Sequence, residues 1–283
     1  MSPAAANPAA ARLVGGPRHA LGEVASTQDE LARLAAAGAP EGTVVTALHQ
    51  TGGRGRRGRA WLDAPGDNLL FSILLRPALP AASTSALSLV AAVAVSEAVA
   101  AAGVAAGIRW PNDLLVGDRK LCGILAEAAA DGAGRVESVR LGIGLNVNQA
   151  EFPPPIRALA TSLRLVTGRA QDRERLLGEV LAALDRRYGE FLAVGFAPAR
   201  AEWRQRSVTL GRWIRVGGLC DPVLVEDVDE VGALLARDGA GRAVRLTSGE
   251  PADAVPPARA GEGLSAPAAA GPDVPHAGPA PGR

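Results

Sequence analysis

The stretch Gly53-Arg54-Gly55-Arg56-Arg57-Gly58-Arg59 decides how the rest of the chain is read. It follows Thr43 to Leu48, whose β-branched residues predict a strand, and it matches the spacing G-x-G-x-x-G. A dinucleotide-binding turn needs a helix to begin at those glycines, so that its N-terminus faces a pyrophosphate. Here Arg59-Ala60-Trp61-Leu62 runs into Pro65-Gly66, and no amphipathic period follows. A doubly wound dinucleotide fold is not expected. What remains is a loop from Gln50 to about Asp67 carrying four guanidinium groups within six residues, suited to meet phosphate through forked N–H donors and glycine-loop amides. Two blander readings stand beside it: a solvated charged loop, or an RGG-like contact to RNA. The second calls for repeats or interleaved aromatic residues, and only Trp61 is near.

On the N-terminal side of this loop, Thr27-Gln28-Asp29-Glu30 has the spacing of a capping box, opening a helix with Leu31 and Leu34 inward and Gly38 as its stop. On the other side, Asn68 to Leu75 predicts a strand and Ser85 to Ala102 a helix ended by Gly103. The longest apolar stretch, Ala86 to Ile108, contains Ser88, Ser96 and Glu97 and reads as a buried helix, not a membrane span. Ile108 to Trp110 and Leu114 to Val116 are short strands around Pro111. Gly117-Asp118 turns into a strand from Lys120 to Ala128, and Asp131-Gly132 into another from Arg135 to Val147. Asp172 to Phe191 is helical, with Leu176, Leu177, Val180, Leu181 and Leu184 on one face. From Val208 onward only short strands appear: Arg212 to Val216, Val223 to Val228, Ala233 to Arg237 and Arg242 to Leu246. The expectation is an α+β fold: a mixed sheet with packed helices over residues 12–206, then a small all-β barrel over 207–255. The Ala/Pro-rich segments 1–11 and 256–283 are expected to be disordered.

The 283 residues are 48% hydrophobic and 21% charged, a globular composition, but only 3% aromatic, so the core must be aliphatic. A net charge of +1 supplies no global field for nucleic acid or an anionic membrane. Cys122 and Cys220 cannot form a disulfide framework, and His19, His49 and His276 are too scattered for a histidine-based zinc site. The first dozen residues lack an export signal, and a cytoplasmic location is expected. Of 30 basic residues, Lys120 is the single lysine. Where every other cationic position is Arg, a lone ammonium marks either chance or a place where a planar fork will not serve.

Lys120 sits in the second dense cluster, Arg109-Trp110-Pro111-Asn112-Asp113 followed by Asp118-Arg119-Lys120-Leu121-Cys122-Gly123-Ile124-Leu125. Pro111 puts Asn112 and Asp113 at a strand end, where amide and carboxylate can project into a cleft, although a turn former and a strand cap would look the same. Cys122 is most simply a buried small hydrophobe. Glycines within the strand Gly142-Ile143-Gly144-Leu145-Asn146-Val147-Asn148 permit close approach of a ligand or another backbone.

Taken together, Ser26-Thr27-Gln28, Gln50 ahead of the Arg/Gly loop and Trp61, Trp110-Pro111-Asn112-Asp113, Lys120 with Gly123-Ile124-Leu125, and Gly144-Leu145-Asn146-Val147-Asn148 resemble the biotin protein ligases, in order and approximate spacing. The resemblance implies joining of biotin to ATP as biotinyl-5′-AMP with release of pyrophosphate, then transfer to a lysine of a biotin carboxyl carrier domain of acetyl-CoA carboxylase or a related carboxylase. It places Ser26, Thr27, Gln28 and Gln50 at the biotin head group, although the family often has Asn at the position of Gln28. It places Arg54, Gly55 and Arg56 in a lid over the adenylate and Lys120 at the biotin carboxylate and α-phosphate. Arg59, Trp61, Asn112, Asp113 and Asn146 fall on the ATP side. Lys120, Arg54 and Arg56 are thus the catalytic candidates, Mg2+ is expected with ATP, and no metal ligands are assigned. Three glycines and four like charges predict a lid that is disordered until ligand binds. The catalytic blocks begin by residue 26, so a monofunctional ligase without DNA binding is expected. A lipoate or octanoate ligase shares the family's fold and chemistry, but a purely aliphatic acid needs no polar Ser-Thr-Gln site.

Overall fold

The computed structural model describes residues 12–80, 83–131, 135–217 and 219–253; the segments 1–11 and 256–283, and Gly132 of the expected turn, lie outside them. Seven strands form one mixed sheet in the order β1-β2-β3-β7-β6-β5-β4: β1 is Arg18–Val24, β2 Val44–Gln50, β3 Leu69–Leu75, β4 Gly107–Arg109, β5 Asp113–Val116, β6 Arg119–Ala130 and β7 Val136–Leu145. Among the described strands of this sheet only β1 and β2 pair with each other in parallel, and the helix α1, Thr27–Ala36, makes the crossover that a parallel pair requires.

The alternation of β3 sorts the two faces. Leu69, Phe71, Ile73 and Leu75 join the main core, whereas Leu74 packs with Leu31 of α1 and Val45 of β2 on the opposite side. The main core is closed by α2 (Thr84–Ala101), α4 (Arg173–Val194) and α5 (Ala197–Arg206), with α3 (Leu163–Thr167) a single turn at the rim. Helix α2 is Ala, Val and Leu on all sides, so it must be covered all round. It is long and apolar enough to cross a membrane, yet 67% of it is buried against the sheet, α4 and α5, as a core helix should be. Its one charge, Glu97, meets Arg186 at 2.6 Å and Arg187 on α4. Burial works against that carboxylate, but the two guanidiniums outweigh it and hold it below the usual range.

The start of α1 differs from the expected capping box. Ser26 is the N-cap: its backbone is extended and its Oγ accepts from Gln28 N at 3.2 Å. Thr27 cannot serve, because its Oγ1 is engaged with Gln50 at 2.9 Å and Ser72 at 2.8 Å, and Glu30 pairs with Arg33 at 2.7 Å instead of reaching back.

The C-terminal strands β8 (Trp213–Val216), β9 (Val223–Val228), β10 (Leu234–Asp238), β11 (Ala243–Leu246) and β12 (Pro251–Asp253) form an antiparallel sheet in the order β11-β10-β9-β8-β12. It is keyed to the first sheet through buried Trp110, whose backbone N–H donates to Thr209 Oγ1 at 3.0 Å and whose indole N–H donates to Gly232 O at 3.0 Å. Sequence reading finds four of these strands. It passes over β12, which is three residues long and begins with proline, and over β1, α3 and α5. β1 is exposed along most of its length and so shows no alternation, and the first turn of α5 contains Pro198.

Candidate active site

The open part of the α1 side of the sheet exists because three strand positions lack side chains. Gly123 of β6 pairs with Gly144 of β7, and Gly142 pairs with Leu125. A Cβ on Gly144 would stand 2.6 Å from the Trp61 indole, one on Gly123 2.9 Å from Lys120 Nζ, and one on Gly142 2.9 Å from the Gln28 amide. The bare patch lets an indole and an ammonium lie close to the backbone. Around it is a cavity of about 530 Å³, lined among others by Ser26, Thr27, Gln50, Arg54, Arg56, Trp61 and Lys120.

Nearly all the residues expected to form a site converge there. Gly55, Arg59, Asn112, Asp113 and Asn146 also line the cavity, whereas Gln28 does not. The Gln28 amide lies over Gly142 and donates to Leu125 O at 3.1 Å and Arg140 O at 3.2 Å, tying α1 to both central strands. Gln50 is organised by Thr27: its Oε1 accepts from Thr27 N at 2.7 Å and from the Thr27 hydroxyl, which leaves the Nε2 donors for a ligand.

Lys120 Nζ lies 2.7 Å from Asp113 Oδ1 and 5.7 Å from the Trp61 ring centroid. Asp113 is shared, its second oxygen accepting from Arg109 at 3.0 Å. The ammonium is therefore fixed from two sides, by a carboxylate and by an aromatic face. Lys120 is also locked by its backbone: its N–H donates to Leu159 O at 2.7 Å and its C=O accepts from Thr161 N at 2.9 Å. Asn112 is committed to the protein, its amide donating to Ile124 O and its Oδ1 accepting from Arg56 at 3.4 Å. Asn146 donates to Thr161 O at 3.0 Å, while its buried Oδ1 has no partner among the described residues. Cys122 is fully buried next to Lys120, and burial pushes its thiol far up, so it is an inert hydrophobe as expected.

The Arg/Gly loop follows a defined path, with a 3-10 turn at Arg56–Gly58 and a bridge from Arg54 to Ala60; no α-helix starts at its glycines. The like charges of the loop do not stand alone, because the fold brings carboxylates up to them. Arg54 forks onto Asp29 of α1 at 2.8 and 2.5 Å, and Arg59 pairs with Glu250 just before β12. The Arg54 guanidinium holds the Asp29 carboxyl below the usual range. Arg56 donates to Gly249 O at 3.0 Å, and burial pulls its guanidinium down from its ordinary value. Sequence reading misses Asp29, which it spends on the cap. It also misses Glu250, Pro251 and Ala252, which line the cavity from a segment nearly 200 residues away from the loop in sequence, and the apolar wall of Phe152, Ile156 and Leu159. Nothing local marks these residues.

Residues 21–147 match the Biotin/lipoate A/B protein ligase family. The biotin--[acetyl-CoA-carboxylase] ligase of Paracoccus denitrificans is 38% identical over 227 residues, covering 77% of this chain and 93% of its own. The chain belongs to the biotin/lipoate A/B protein ligase family. Another member, the bifunctional ligase/repressor BirA of Bacillus spizizenii, is 40% identical over 195 residues, covering 68% of this chain; the match spans only 60% of that relative's length. Among solved family structures, the biotin protein ligase from Aquifex aeolicus in complex with biotin and ATP superposes with a TM-score of 0.72 at 30% identity, over 84% of this chain and 98% of that one. The mixed sheet, its helices and the smaller C-terminal sheet are thus a family fold.

Proposed function

We infer that the protein is a biotin protein ligase: it condenses biotin with ATP to biotinyl-5′-AMP, releasing pyrophosphate, and passes the biotinyl group to a lysine of a biotin carboxyl carrier domain of acetyl-CoA carboxylase or a related carboxylase. The observation that carries this reading is one cavity lined at once by a polar Ser26-Thr27-Gln50 set, a fixed primary ammonium and a flap of guanidiniums. Ser26, Thr27 and the free Nε2 of Gln50 meet the ureido head of biotin, and Gln28 acts from behind by holding α1 to the sheet.

In the first step a carboxylate oxygen of biotin attacks the α-phosphorus of ATP, and the bond from that phosphorus to the bridging oxygen breaks. Both reactants are anionic, and charge builds further at the α-phosphate. Fixed cations remove that repulsion, and positioning with electrostatic stabilisation is most of what phosphoryl transfer needs from a protein. Lys120 supplies a compact ammonium at the junction, shared between Asp113 and the ligands, while Arg54, Arg56 and Arg59 exchange their protein carboxylate or carbonyl partners for phosphate oxygens. Trp61 floors the site, and Asn112, Asp113 and Asn146 border the nucleotide. Mg2+ enters with ATP, as part of the substrate. In the second step the acceptor amine attacks the acyl carbon and AMP leaves; no protein nucleophile takes part. The enzyme works in the cytoplasm, where ATP and the carrier are found, and binds neither nucleic acid nor membrane.

The test is incubation with biotin, Mg-ATP and a carrier domain, followed by intact mass. Addition of one biotinyl group to the carrier, dependent on both substrates, is expected; an unmodified carrier overturns the reading.

A further inference from the structure

Residues 53–61 form a flap closed on itself, with Trp61 N donating to Gly53 O at 2.9 Å and Gly55 N to Arg59 O at 2.6 Å. Two roots join it to the sheet. The first is held by backbone: Thr51 N donates to Val24 O and Gly52 N to Ala25 O, both at 2.9 Å. The second root, Leu62-Asp63, makes no backbone–backbone hydrogen bond among the described residues; beyond it Ala64 N donates to Gln149 Oε1 at 3.3 Å and Gly66 N to Leu48 O at 2.8 Å. A side chain does the holding instead. The Asp63 carboxylate is 1% exposed, and its Oδ2 lies 2.8 Å from His49 Nδ1 in β2, one residue before Gln50. Its Oδ1 is buried and without a partner among the described residues.

A buried carboxylate persists only while something satisfies it, and among the described residues His49 is the one side chain that does. Without the imidazole, the Asp63 carboxylate loses its partner and must swing to water. That response shifts the segment two residues beyond Trp61, which lies on the glycine patch beside Lys120. We propose that His49 and Asp63 are positioning residues, a clasp at the second root of the flap that sets Trp61 and the flap arginines over the cavity. Its effect on flap order stands alone; its consequence for an enclosed adenylate rests on the ligase reading above. Neither residue touches the reacting atoms.

Two readouts on the full-length protein test the clasp. The first needs no biotin. Arg54, Arg56, Arg57 and Arg59 are trypsin sites, so the nicking rate in the flap reports its opening. His49→Ala and Asp63→Ala are expected to speed nicking within residues 54–59 about fivefold, with the rate of cleavage elsewhere unchanged. Asp63→Asn keeps an oxygen to accept from the imidazole N–H and is expected to stay near the wild-type rate. The second readout is escape of the reactive mixed anhydride. With biotin, Mg-ATP, a carrier domain and a lysine-rich bystander protein present, the share of label on the bystander should rise about threefold or more in both alanine variants and return in Asp63→Asn. Wild-type nicking in the alanine variants overturns the clasp, as does an Asp63→Asn variant as open as Asp63→Ala. Faster nicking in a protein that makes no adenylate leaves the clasp standing and removes the ligase reading. Unchanged nicking in an active ligase does the reverse.

Discussion

Lys120 is where the chemistry is most exposed to test at the scale of one residue. Its ammonium fits between Asp113, Trp61 and the space above Gly123, a gap shaped for a compact charge. Lys120→Arg keeps the charge and changes its shape, so biotin-dependent pyrophosphate release should fall by about 100-fold or more while the melting temperature stays put; a wild-type rate would refute the point. Gly144→Ala tests the patch itself. Its Cβ would sit 2.6 Å from the indole, so Trp61 must move, with an expected stability loss of ~1–3 kcal/mol and altered tryptophan fluorescence. Lys120 could be singled out from sequence because a residue type used once stands out against 29 arginines. Gln28 could not be placed correctly, because the choice between facing the ligand and facing the strands is made by Leu125 O and Arg140 O, which only the folded sheet brings within reach.

At the scale of elements, the contacts between α1, α2 and their neighbours set the next expectations. Removing the α1 cap with Ser26→Ala should cost about 1 kcal/mol in denaturant unfolding, in addition to any effect on biotin affinity. Glu97 links α2 to α4 through Arg186 and Arg187. Because its folded-state carboxyl is held below the unfolded value, its contribution is present above the ordinary glutamate range and is lost as pH falls through the folded pKa. Glu97→Gln should therefore destabilise the protein at pH 7 by about 1 kcal/mol, a figure discounted for solvent screening, and by less at acid pH. A penalty that does not shrink on acidification would contradict this. Elements with a clear local signature, the apolar spacing of α4 and the continuous apolar run of β3, are legible to within a few residues. Those set by tertiary contact are not: β12 is ordered by pairing with β8, and α5 by burial of Trp203.

At the scale of the whole molecule, two of the four arginines in the densest cationic loop pair with carboxylates far apart in the chain, Asp29 before it and Glu250 almost 200 residues after it. Local sequence shows the guanidiniums and hides their counter-charges, which is why the loop reads as unordered until the two sheets are assembled. With a net charge of +1 and two of the flap arginines held by carboxylates, affinity for DNA or RNA is expected to be weak and to vanish as salt rises, measured by gel shift from low to physiological ionic strength. The claim on which everything else depends is that this cavity condenses biotin with ATP. Pyrophosphate release measured with biotin, lipoate and octanoate in parallel tests it most directly. The account predicts turnover with biotin, little with either aliphatic acid, and loss of the biotin signal in Lys120→Arg; turnover with lipoate or octanoate and none with biotin would contradict it.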